Sequence, residues 1–106
     1  MGNLQRSTVV AGITVGTTVG DSMAIPYSNY AGGSVFIPSD SSITVLTWYG
    51  SYDGVTYLAV QDGFSNPVLS NVGASVCCLI PAACYAMRFV KATDPIGGVI
   101  NVSLKS

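Results

Sequence analysis

The sequence contains no glutamate and no histidine, and its charged fraction is only 8%, where soluble domains usually carry about 25%. The ionisable set is Asp21, Asp40, Asp53, Asp62 and Asp94 against Arg6, Arg88, Lys91 and Lys105, for a net charge of -1. Each shortage removes a class of function. Four scattered cations make no basic stripe to neutralise phosphates, so a nucleic-acid partner is not expected. Without histidine, the three cysteines Cys77, Cys78 and Cys84 lack a fourth zinc ligand, and no D-x-D-G run suggests calcium; no metal is expected. Catalysis needs a positioned base, nucleophile or cofactor. With neither Glu nor His, the expectation is a chain that is not an enzyme and holds no cofactor. The most apolar run, Val76 to Met87, falls short of the ~20 residues needed to span a bilayer and contains Pro81, so no membrane partner is expected. The opening MGNLQRST has no apolar core behind a basic head, so export is not indicated. The thiols are therefore expected to be free.

What is present is a β-rich chain of 106 residues, 49% apolar. With so little charge, its surface must be covered by Ser, Thr, Asn, Gly and apolar side chains, which suits a molecule whose outside is partly another subunit's inside. The centre of the pattern is Ile43 to Val60, ITVLTWYGSYDGVTYLAV. Its period of two puts Thr44, Leu46 and Trp48 on one face and Ile43, Val45, Thr47 and Tyr49 on the other. Asp53-Gly54 favours a tight hairpin turn, with Val55, Thr56, Tyr57 and Val60 on the return strand.

Around this hairpin, turn signals mark short strands at Met23–Pro26, Ser34–Ile37, from Val68, at Ser75–Ile80, Tyr85–Thr93 and Val99–Leu104, with a polar turn at Ser28 and Asn29. Ser75–Ile80 reads as buried, with one of Cys77 and Cys78 in the core. Pro81 to Cys84 reads as one helical turn at a corner. The fold class expected is all-β, an antiparallel β-sandwich or jelly roll of about eight short strands. Residues 1–20 form either an extended N-terminal arm or edge strands, because β-branched crowding opposes a helix there, and residues 21–106 form the β-sandwich domain.

Asp53, Asp62 and Asp94 each sit beside Gly or Pro in turns, where a carboxylate bonds the local backbone. Trp48, Tyr49 and Tyr52 could stack on sugar rings if exposed; the alternative is that Trp48 anchors the core. Val9, Val10, Ile13 and Val15 on the arm, and Tyr52 and Phe64 at turns, are the expected contact residues for a protein partner.

The order I-P, then T-x-L-T-W-Y-x-S-x-D-G-x-T-Y, then Pro-Ala-Ala-Cys-Tyr and a last strand ending Leu104-Lys105, resembles small β-sandwich virion proteins of tailed bacteriophages. These are capsid decoration or cement proteins and head-fibre or tail-associated modules. The resemblance spans Ser34 to Lys105 and is carried by Pro38, Leu46, Thr47, Trp48, Ser51, Asp53, Gly54, Tyr57, Tyr85 and Lys105. It implies a non-enzymatic structural protein of the virion, assembled in the host cell cytoplasm, that binds the major capsid protein or other virion proteins and forms a homo-oligomer. The other expectation is a carbohydrate-binding or adhesion module, as on a tail or head fibre, that holds a glycan with Trp48, Tyr49 and Tyr52.

Overall fold

The computed structural model describes residues 7–27, 32–84 and 87–105, with the backbone path alone for 7–11 and 105. The turn expected at Ser28 and Asn29, residue Tyr85 and the first six residues of the arm lie outside the described residues. Among those described there are nine strands and no α-helix: β1 Ser7–Val15, β2 Ile25–Pro26, β3 Gly32–Phe36, β4 Val45–Ser51, β5 Leu58–Ala59, β6 Leu69–Asn71, β7 Cys77–Leu79, β8 Phe89–Thr93 and β9 Gly98–Lys105. A single 3-10 turn, Ala82–Cys84, follows Pro81. The protein is thus all-β.

The strands build two antiparallel sheets. One runs β1-β9-β3-β7, and the other runs β2-β8-β4-β5 with β6 beside β5 on β4. In the first, β1 lies along β9 from Ser7 opposite Lys105 to Val15 opposite Gly98, with a register shift between Val10 and Ile13. Gly12 takes a φ of 74° at that shift, and its amide donates to Asn101 Oδ1 at 3.3 Å. An extra residue with a left-handed φ is how a bulge is accommodated, and glycine takes that conformation without a Cβ penalty.

Side chains from both sheets meet in one buried cluster. The period of two decides which: Val35, Ile100, Val102 and Leu104 from the first sheet, and Leu46, Trp48, Val90 and Ala92 from the second, are at most 3% exposed. Trp48 is wholly buried, and its indole N–H donates to Ser70 Oγ at 2.9 Å, so the one polar atom of the ring is satisfied inside. Cys84 is also wholly buried; Cys77 is exposed, and Cys78, half-buried, packs against the core cluster. The expectation of a buried strand at Ser75–Ile80 is corrected here. Among the described residues β7 pairs with β3 alone, at the sheet's edge, and Val76 and Leu79 are 39% and 69% exposed, although Ile80 is wholly buried.

The hairpin also differs from expectation. Leu58–Ala59 returns along β4, pairing Ala59 with Tyr49 and Leu58 with Gly50, and the Val60 amide continues the register by donating to the Trp48 carbonyl at 3.0 Å, but the chain between Ser51 and Leu58 is a wide loop rather than a two-residue turn. The cause is local competition. Asp53 Oδ1 accepts the amides of Val55 and Thr56, both at 2.9 Å, which turns these residues away from the ladder.

Candidate interaction surface

Three aspartates organise the loops. In the β4–β5 loop, Ser51 Oγ accepts the amides of Asp53 and Gly54 and donates to Asp53 Oδ1 at 2.9 Å, while Gly54 takes a φ of 79°. The backbone bonds from Thr56 and Val55, and then the Ser51 hydroxyl, hold the Asp53 carboxyl below its ordinary value. In the next loop Asp62 Oδ1 accepts the amides of Phe64 at 2.7 Å and Asn66 at 3.1 Å, and the Asn66 and Phe64 bonds likewise hold the Asp62 carboxyl below its ordinary value. Both carboxylates are spent on bracing their own loops. Neither is poised as a general acid or base.

What the braced loops present is apolar. Tyr52 is 73% exposed, Val55 82% and Phe64 86%. Beside them a cavity of about 300 Å³ opens between β4, β5 and the 3-10 turn, lined by Gly50, Tyr52, Leu58, Val60, Ala83 and Met87 with Ser51, Thr56 and Gln61 at its polar positions. Glycine at position 50 lets Met87 come this close, since a Cβ there would lie 2.6 Å from Met87 Sδ. The depression has room for an apolar group and no convergent charge.

The third aspartate points inward. Asp94 is 2% exposed; its Oδ1 accepts the amides of Thr44 and Val45, and its Oδ2 those of Ile96 and Gly97, at 2.8 to 3.1 Å. Burial pushes its carboxyl up, and the four backbone donors together outweigh that, so the group titrates below its ordinary value. Its own amide donates to the Gly16 carbonyl at 3.0 Å, tying the ends of β8 and β1 to the start of β4.

The expected contact residues do not lie together in one exposed patch. Tyr52 and Phe64 are on the surface, as a contact role requires. Ile13 and Val15 are 2% and 1% exposed and belong to the chain's own core, so a partner would reach them only if β1 left its sheet. Val9 and Val10 sit in β1 opposite Ser103 and Val102, and their side chains lie outside the described residues. The ring platform is not assembled either: Trp48 faces the core, Tyr49 is half-buried and only Tyr52 stands free of the surface. Tyr57 is instead capped by Lys91, whose Nζ lies 4.4 Å from the ring centroid and donates to the Val19 carbonyl at 3.1 Å.

Sequence reasoning missed Val55, Leu58, Leu79 and Phe36 as exposed apolar positions. For Leu79 a signal existed, since a strand stopped by Pro81 within an uncharged stretch is as compatible with an edge as with a centre. No family model, curated protein or solved structure matches this chain.

Proposed function

We propose that the two sheets form a β-sandwich of jelly-roll type and that the molecule is a non-enzymatic structural protein of a virion, a decoration or cement protein that stabilises a capsid shell by burying surface against the major capsid protein and against copies of itself. The observation that supports this reading best is the character of the surface. Among the described residues eleven large apolar side chains are exposed, including Tyr52, Val55, Leu58, Phe64, Leu69, Leu79 and Ile96, on a chain that is 8% charged. Such a surface is costly to leave wet and gains by being covered, at about 25 cal/mol per Å² of apolar area. A contact of ordinary size buries ~800 Å² per partner, and repetition over a lattice adds avidity to weak single contacts. The alternative, glycan binding by the aromatic hairpin, has to work with Tyr52 and the adjoining depression, because Trp48 is inside.

The test is sedimentation of the purified chain with heads assembled without it from the major capsid protein of the same virus. The expected result is saturable co-sedimentation at a fixed ratio to the capsid protein, weakened by Tyr52→Ala or Phe64→Ala. A chain that stays at the top of the gradient at every concentration would overturn the decoration reading. Binding to a glycan array that is lost in Tyr52→Ala would replace it with the adhesion reading.

A further inference from the structure

Strand edges expose unpaired amides and carbonyls, and native sheets usually blunt them with a bulge, a proline, a charge or shortness. Most edges of this molecule are blunted. β1 is bent by the bulge at Gly12, and its Thr14 carbonyl is taken by the Met23 amide at 2.9 Å. β2 ends in Pro26, which has no N–H to offer. β5 and β6, two and three residues long, share one edge of β4 and are separated by a turn that contains Asp62 and Pro67. β7 is also only three residues long, but between Val76 and Ile80 it carries no bulge, no proline and no charge, and among the described residues no second strand shares its outer edge.

On its inner side β7 is bonded to β3: the Ile37 amide donates to the Val76 carbonyl at 2.8 Å, and the Ile80 amide to the Gly33 carbonyl at 2.9 Å. Hydrogen-bonded pairs alternate along an antiparallel ladder, so Val76, Cys78 and Ile80 face β3. The amides and carbonyls of Cys77 and Leu79 therefore point away from the sheet. Apolar side chains flank them, with Leu79 69% exposed and Phe36, opposite Cys77 on β3, 43% exposed.

We propose that β7 is a self-association edge, which pairs antiparallel with β7 of a second copy about a two-fold axis and joins two four-stranded sheets into one. The inference rests on the assembly reading above and names the surface through which copies meet. The charge pattern selects a second copy as the occupant. A two-fold axis places each residue near its own image, where any charge would face a like charge. Residues 63–87 contain no charged side chain at all.

The outward groups fix the register. Setting Cys77 against Leu79 of the second copy, and Leu79 against its Cys77, pairs every outward amide and carbonyl of both. Centring the pair on Leu79 would set Cys77 against Pro81, which lacks an N–H. Centring it on Cys77 would need Ser75, whose amide already donates to the Ile37 carbonyl at 3.1 Å and whose φ of 62° turns the chain away. In the favoured register Cys78 faces Cys78 of the second copy as a non-hydrogen-bonded pair, about 4.5 Å apart at Cα and within the span of a disulfide. The two Cys77 residues are offset along the strands beyond that span.

The experiment uses the full chain. Under reducing conditions, sedimentation velocity over a concentration series should show a reversible dimer. Leu79→Pro, which removes an amide that the monomer does not bond, should weaken it by about tenfold or more, as should Leu79→Lys, while Met23→Lys, exposed beside β1 at the opposite edge of the same sheet, leaves it unchanged. Near-ultraviolet circular dichroism of buried Trp48 checks that each variant is folded. Oxidised glutathione should then link two copies through Cys78, two thiols giving one disulfide while one oxidised glutathione becomes two reduced ones. Cys77→Ser should keep the link and Cys78→Ser lose it, although Cys77 is the more exposed thiol. Association undiminished in folded Leu79→Pro and Leu79→Lys, or a link through Cys77, would overturn this edge while leaving assembly through another surface. A wild-type chain that stays monomeric at every concentration would overturn it as well, and the head-binding experiment would then judge the decoration reading alone.

Discussion

Asp94 carries more of the loop architecture than any other polar side chain described, because one carboxylate serves four amides from two separate segments. Asp94→Asn keeps the shape but turns an N–H₂ toward donors, and should cost about 2 kcal/mol at pH 7 through the amides it leaves unpaired. The pH dependence follows from the direction of the shift. A carboxyl whose folded value is depressed contributes stability in full above the unfolded value of about 3.9, and that contribution is lost as pH falls through the lower folded value. Urea denaturation should therefore separate wild type from Asp94→Asn clearly at pH 7 and progressively less below pH ~4. Asp53 and Asp62 are lowered too, so the variant should retain some of the acid sensitivity. An equal gap between the two proteins at pH 7 and at pH 2.5 would show that the charge of Asp94 is not what the four amides hold.

Among the elements, β1 shows how one residue sets the course of a strand. Gly12 has nothing within 4 Å of where a Cβ would stand, so Gly12→Ala meets no clash, and its whole cost is the left-handed φ of 74°. That cost should be about 1 kcal/mol. Gly63→Ala, equally open but without a positive φ, should be neutral or slightly stabilising. Matched denaturation midpoints for the two variants would refute the bulge assignment. The same elements show what was legible beforehand. Alternation puts Leu46 with Trp48, and Ile100 with Val102 and Leu104, on one face each, because a period of two is written directly in the side chains, but it does not say which face turns inward; burial decides that. Cys77 to Leu79 misled because apolar content reports a preference for burial, whereas position in a sheet is decided by which strand lies beside it, a non-local fact. The wide loop after Ser51 escaped notice for a related reason: Asp53-Gly54 announces a turn, but its length depends on which amides the carboxylate captures. Of the candidate surface, Tyr52 and Phe64 were readable from turn chemistry, and the depression between β4, β5 and the 3-10 turn was not.

For the whole molecule, the cluster that joins the sheets and the radius of gyration of 13.3 Å describe one compact body, near the ~13 Å expected of a folded chain this long. Its three free thiols sample that body from rim to centre: Cys77 exposed, Cys78 half-buried, and Cys84 wholly buried, its thiol pushed up to about 11 by burial. Native-state labelling with iodoacetamide, followed by mass spectrometry, should modify Cys77 first and Cys78 more slowly. Cys84 should react only through global opening, at a rate that rises with denaturant as unfolding does. Early labelling of Cys84 would mean that the core opens locally at the 3-10 turn. A last consequence comes from the pairing of Ser7 with Lys105, which brings the outer ends of β1 and β9 side by side at one end of a sheet. Tension applied between those two ends pulls across the ladder rather than along it, so the β1–β9 bonds must break in succession, like a zip, instead of shearing together. The molecule should therefore be mechanically soft along this axis, and a neighbour gripping β1 could peel it at small force while the rest of the sheet stays closed.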